Sequence, residues 1–222
     1  MGGRGASYNR EKTKEFLSSG GGNKGKAHPI DIKKYESQTL EQIESRIRKL
    51  NHEELFALDA NDKPIAAYKG NKDSVAFPMT LLLEKDATVT HGHPKGAAEF
   101  GGTLSFADVR NMSVSLWKEH RATASGQGEM NYILRRNSNS NHNKDKALYN
   151  KIRKDEPKVL KRFEKTYDKA YKEARKSGKS VKQAIHVARQ AGVGEVDRYW
   201  METLPKYGID YIKRKKDYRY GR

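Results

Sequence analysis

The chain has no cysteine. Disulfide frameworks and thiolate metal sites are therefore both excluded, and any bound metal must be held by imidazole and carboxylate. No apolar run approaches the roughly 20 residues that span a bilayer. The opening Met1-Gly2-Gly3-Arg4-Gly5-Ala6-Ser7 lacks the hydrophobic segment of a secretory signal. The expectation is a cytoplasmic protein with no membrane partner. Negative charge is also short, since 28 Asp and Glu stand against 45 Lys and Arg, a net charge of +17. The excess is uneven. Residues 50–136 hold 10 Lys/Arg against 11 Asp/Glu, residues 1–49 hold 11 against 6, and residues 137–222 hold 24 against 11. A neutral middle between basic flanks suggests three parts. These are a disordered, basic, Gly-rich tail over 1–36, a folded domain over 37–136, and a basic helical extension over 137–222.

Within the middle part, the local signals alternate between helix and strand. Thr39 opens a helix to Leu50, with Gln42 completing a capping box and Leu40, Ile43, Ile47 and Leu50 on one face. Residues 53–59 and 64–69 read as a hairpin, 74–77 as a short strand and 88–91 as a β-branched strand. A helix is expected from Ser105 to His120, followed by strands over 121–125 and 130–134. The fold class is α+β: a sandwich-like mixed sheet flanked by helices, with a basic C-terminal helical extension. After the polar run Asn137-Ser138-Asn139-Ser140-Asn141, three helices are expected, punctuated by Gly178 and Gly192.

The chemistry concentrates at Thr88-Val89-Thr90-His91-Gly92-His93-Pro94 and at Ser105-Phe106-Ala107-Asp108. Side chains two apart on a strand share a face, so His91 and His93 can aim two imidazoles at one point. Asp108, in the first turn of the next helix, can add a carboxylate. Two nitrogens, one oxygen and an open fourth position form a hydrolytic zinc arrangement. Ser105 and Asp108 also read as a capping box, and the two uses are compatible. The plainer alternative is a loop whose histidines only make hydrogen bonds.

His-x-His-Pro, a loop and then Ser-x-x-Asp resembles the signature of JAMM (MPN/JAB) zinc metalloproteases, nearest the RadC-like and prokaryotic JAB branches. The resemblance covers about residues 50–136 and departs from the pattern in its longer loop between Pro94 and Ser105. It implies the JAMM or cytidine-deaminase-like architecture and a metal held by His91, His93 and Asp108. It also implies a glutamate base, Glu53 or Glu54 with side-chain parity favouring Glu53, and a Ser105 hydroxyl that stabilises the oxyanion. The implied activity is hydrolysis of an amide bond in a protein or peptide substrate by a Zn2+ peptidase or isopeptidase. The alternative is an inert JAMM-like protein that binds nucleic acid or a protein assembly such as a phage-related one. In either case residues 137–222 are basic enough to bind nucleic acid or an acidic protein surface through counterion release. A metal-dependent nuclease would fit the charge but lacks a carboxylate cluster.

Overall fold

The computed structural model describes residues 3–19, 26–72, 74–94, 103–124 and 130–215. The sequence expectations for the loop at 95–102, the turn at 126–128 and the tail at 216–222 lie outside them. The described chain is α+β, with a seven-stranded mixed sheet and five α-helices. The strands are β1 (His28–Pro29), β2 (Glu54–Leu58), β3 (Pro64–Lys69), β4 (Thr88–His93), β5 (Glu119–Ala124), β6 (Met130–Arg136) and β7 (Ile209–Lys215). Their order is β1-β3-β2-β4-β5-β6-β7. Only β4 and β5 run parallel. The remaining neighbours are antiparallel. The β4–β5 crossover carries a helix, as parallel neighbours require.

The helices are α1 (Gly3–Ser19), α2 (Leu40–Ile47), α3 (Phe106–Val114), α4 (His142–Lys176) and α5 (Val181–Thr203). One face of the sheet packs under α2, where Ile43 and Ile47 meet Phe56, Leu58 and Ala67. The other face builds the larger core, joining Leu55, Val89 and Ala122 to Phe106, Phe163 and Trp200. Two capping boxes expected from sequence are present: Thr39 with Gln42 on α2, and Ser105 with Asp108 on α3.

Four expectations are corrected. Residues 3–19 are helical rather than disordered. Leu17 and Thr13 are fully buried, while Arg10 and Lys14 pair with Asp168 and Glu164 of α4 at 2.8 and 2.7 Å. The stabilising partners are about 150 residues away, so local composition does not reveal them. Helix α3 stops at Val114, not His120. The Arg136 guanidinium donates to the carbonyls of Met112, Ser115 and Trp117 at 2.7 to 2.9 Å and ends the helix there. Residues 74–77 form no strand, although Val75 and Phe77 are buried. Gly192 does not punctuate a helix. A Cβ there would lie 2.6 Å from the Phe163 ring, so glycine permits the close crossing of α4 and α5.

The boundary expected at residue 137 is crossed by the fold. Leu148, Ile152, Val159, Phe163 and Trp200 share one core cluster with Leu55 and Trp117, and β7 pairs with β6 from Ile209↔Arg136 to Lys215↔Met130. The basic residues are thus carried by elements that complete the central core.

Candidate metal centre

Strand register delivers the side chains. Leu55 of β2 pairs with His91 of β4, and Val89 of β4 pairs with His120 of β5. Paired residues share a face, and so do residues two apart. His91, His93 and His120 therefore emerge on the α3 side of the sheet. Extending the antiparallel register by two residues puts Glu53 opposite His93 on that same side. Glu54 lies on the other side, where Arg46 and His52 pair with it at 2.5 and 3.1 Å.

Three donors converge. His91 Nε2 lies 3.0 Å from His93 Nε2 and 3.4 Å from Asp108 Oδ1, and His93 Nε2 lies 4.0 Å from Asp108 Oδ2. Ligand atoms about 2.0–2.1 Å from a tetrahedral zinc would be roughly 3.3 Å apart. An N–H···N hydrogen bond would satisfy the imidazole pair alone. A cation at their common centre satisfies all three groups.

The capping box aims the carboxylate. Ser105 donates its backbone N–H and its hydroxyl to Asp108 Oδ2, both at 2.8 Å, and the Asp108 N–H donates to Ser105 Oγ at 3.1 Å. Oδ1 is thereby turned toward His91. The Ser105 hydroxyl proton is committed to Asp108, so Ser105 acts here through that carboxylate.

His120 is the residue that the sequence reading missed. Its Nδ1 lies 3.1 Å from the Asp108 backbone carbonyl, which accepts that N–H and leaves Nε2 as the lone-pair nitrogen. Its ring centroid is 5.1 Å from that of His91. One ligand atom each from His91, Asp108 and His120 lie within 4.8 Å of one another, so these three residues could hold a metal ion. His93 stands beside that group, its Nε2 3.0 Å from His91 Nε2 and 4.0 Å from Asp108 Oδ2. A signal for His120 was present in the alternation His120-Arg121-Ala122-Thr123-Ala124. It was obscured by reading the helix six residues too far.

Burial sets the protonation states. His91, His93, Asp108, His120 and Glu53 are each no more than 5% exposed. Desolvation lowers the His91 and His120 pKa to about 4 and takes His93 well below 6.5. Neighbouring imidazoles add to the effect on His93 and His120. Burial raises the pKa of Asp108, opposed by His120, the Ser105 hydrogen bonds and Arg110. Neutral imidazoles are the metal-binding form. A bound cation would reverse the bias on Asp108, since it favours the carboxylate.

No family model, curated protein or solved structure matches the chain. Its functional reading therefore rests on these residues. Among the described residues, no helix is long and apolar enough to cross a membrane.

Proposed function

We propose that the chain is a zinc-dependent hydrolase of amide bonds, acting on a protein or peptide with JAMM-like chemistry. The observation that carries this reading is the convergence of two imidazole nitrogens and a carboxylate within 3.0–4.0 Å. Zinc is the metal these ligand types favour, and it would supply a Lewis acid and lower the pKa of a water molecule. His91, His93 and Asp108 would hold the metal. Ser105 fixes the orientation of Asp108. Glu53 takes the proton from the attacking water and returns it to the leaving amine. Glu54, already paired with Arg46 and His52 on the far side, takes no part.

His120 favours a second reading. With Nε2 turned to the metal, it would make a fourth protein ligand, and a closed four-ligand site binds without turnover. Glu53→Gln separates the two. In the hydrolase it keeps stoichiometric zinc and lowers cleavage of a quenched-fluorescent peptide library by at least about 100-fold. Equal cleavage by wild type, Glu53→Gln and Glu54→Gln would place the base elsewhere. Absence of cleavage in wild type, gained in His120→Ala, would establish the closed site.

A further inference from the structure

Four of the six carboxylates of α4 pair with cations of other elements: Asp145 with Arg136, Glu156 with Arg110, Glu164 with Lys14 and Asp168 with Arg10. The other two pair along the helix, Asp155 with Lys151 and Glu173 with Lys169. Its cations remain outside. Lys151, Lys154, Lys158, Lys161, Lys165 and Lys172 recur at spacings of three, four or seven, all exposed. At 100° per residue they occupy a stripe less than about 100° wide and about 30 Å long. Lys14, Arg10, Arg110 and Arg136 thus neutralise four carboxylates that would otherwise help balance this row, within which Lys151 pairs with Asp155.

Beside the stripe lies a cavity of about 270 Å³ between α4, α5 and the 3₁₀ turn Leu204–Tyr207. Lys158, Arg162 and Lys206 line it and, among the described residues, make no hydrogen bond or salt bridge. Its two carboxylates are Asp155 and Glu202. Asp155 is held by Lys151 at 2.8 Å and by the Tyr199 hydroxyl at 3.1 Å. Glu202 is the second carboxylate among Lys158, Arg162 and Lys206, and Lys158 also lies within electrostatic reach of Asp155. Tyr199 and half-buried Tyr207 also line it, with Val159 and Thr203.

We propose that this groove binds single-stranded nucleic acid. The phosphates lie along the α4 stripe and on Lys158, Arg162 and Lys206, and an unstacked base packs against Tyr207. A row of cations suits any polyanion, but aromatic rings beside it suit a ligand that alternates phosphate with a flat π-face. The cavity is smaller than the roughly 300–1,000 Å³ of a whole small-molecule pocket, which fits one unit of a longer chain. This surface is formed by α4, α5 and the following turn, apart from the imidazole cluster, and does not depend on metal chemistry.

The test is fluorescence anisotropy of the full chain with a labelled oligothymidylate at several salt concentrations. Lys158→Ala/Arg162→Ala/Lys206→Ala should weaken binding at least tenfold. It should also reduce the slope of log K against log salt by about two, because three contacts to a single strand each contribute about 0.7. Tyr207→Ala should weaken single-strand binding about fivefold or more and leave duplex binding unchanged. Lys33→Ala/Lys34→Ala, on the 3₁₀ turn Ile32–Tyr35, should match wild type. All the cations are exposed, and thermal melts of the variants should overlay that of wild type. Wild-type affinity in the triple variant overturns the site. Preference for duplex, or equal competition by polyglutamate, overturns the single-stranded ligand in favour of duplex backbone or an acidic protein.

Discussion

The two faces of strands β2, β4 and β5 bury titratable groups in opposite ways. Under α2, charges are matched. Arg121 donates to Glu44 at 2.6 Å and to Glu119 at 2.9 Å, Arg135 adds a second bond to Glu119, and Asn131 and Thr90 donate to Glu44. Under α3, three imidazoles and a carboxylate meet, and burial drives the imidazoles neutral and raises the carboxylate pKa. Desolvation opposes charge on both faces. The first face answers it with internal ion pairs. The second gathers His91, Asp108 and His120 closely enough that they could hold a metal ion, which sets it apart from the ion-paired network on the first face.

The largest expected effect lies on the matched face. Arg121→Met leaves the Glu44 and Glu119 carboxylates buried without their shared guanidinium, and should cost about 3–5 kcal/mol in urea unfolding. A loss below about 1 kcal/mol would mean that Asn131 and Arg135 suffice, and the contrast between the faces would weaken.

A smaller effect is expected on the metal face. His91→Leu, a swap for an apolar side chain of similar size, should change the metal-free protein by less than about 1.5 kcal/mol. Its effect should appear when zinc is added. Wild type gains about 2.7 kcal/mol at a zinc concentration 100 times Kd, and the variant gains nothing. Acidification sharpens the same point. Between pH 6.5 and about 4 the unfolded chain takes up protons on histidines that the folded chain keeps neutral. Stability of the metal-free protein should therefore fall as pH drops through that window. Asp108 opposes the trend, because its raised pKa lets the folded state bind a proton first. His91→Leu should flatten the pH dependence of the urea midpoint; an unchanged slope would mean that His91 is not buried neutral.

What could be read from sequence was local. The capping boxes at Thr39–Gln42 and Ser105–Asp108 rest on contacts three residues apart, and the shared face of His91 and His93 rests on strand parity. What could not be read depended on distant partners. Helix α1 is held by Asp168 and Glu164, and the end of α3 by Arg136. Residues 209–215 were expected within a basic helical extension, yet they form an edge strand. Tyr211 and Lys213 there meet the buried Asp197 carboxylate, with the tyrosine hydroxyl at 2.7 Å. His120 was legible only once its strand was known to begin at Glu119.

The central claim is that the α3 face is a metal centre built from His91, His93 and Asp108. X-ray absorption at the zinc edge, on zinc-loaded protein after removal of excess metal, tests it most directly. The account predicts about one zinc per chain, a first shell of nitrogen and oxygen at about 2.0–2.1 Å with imidazole scattering, and loss of that signal in His91→Ala/His93→Ala. Full stoichiometric zinc in the double variant, or none in wild type, would contradict it.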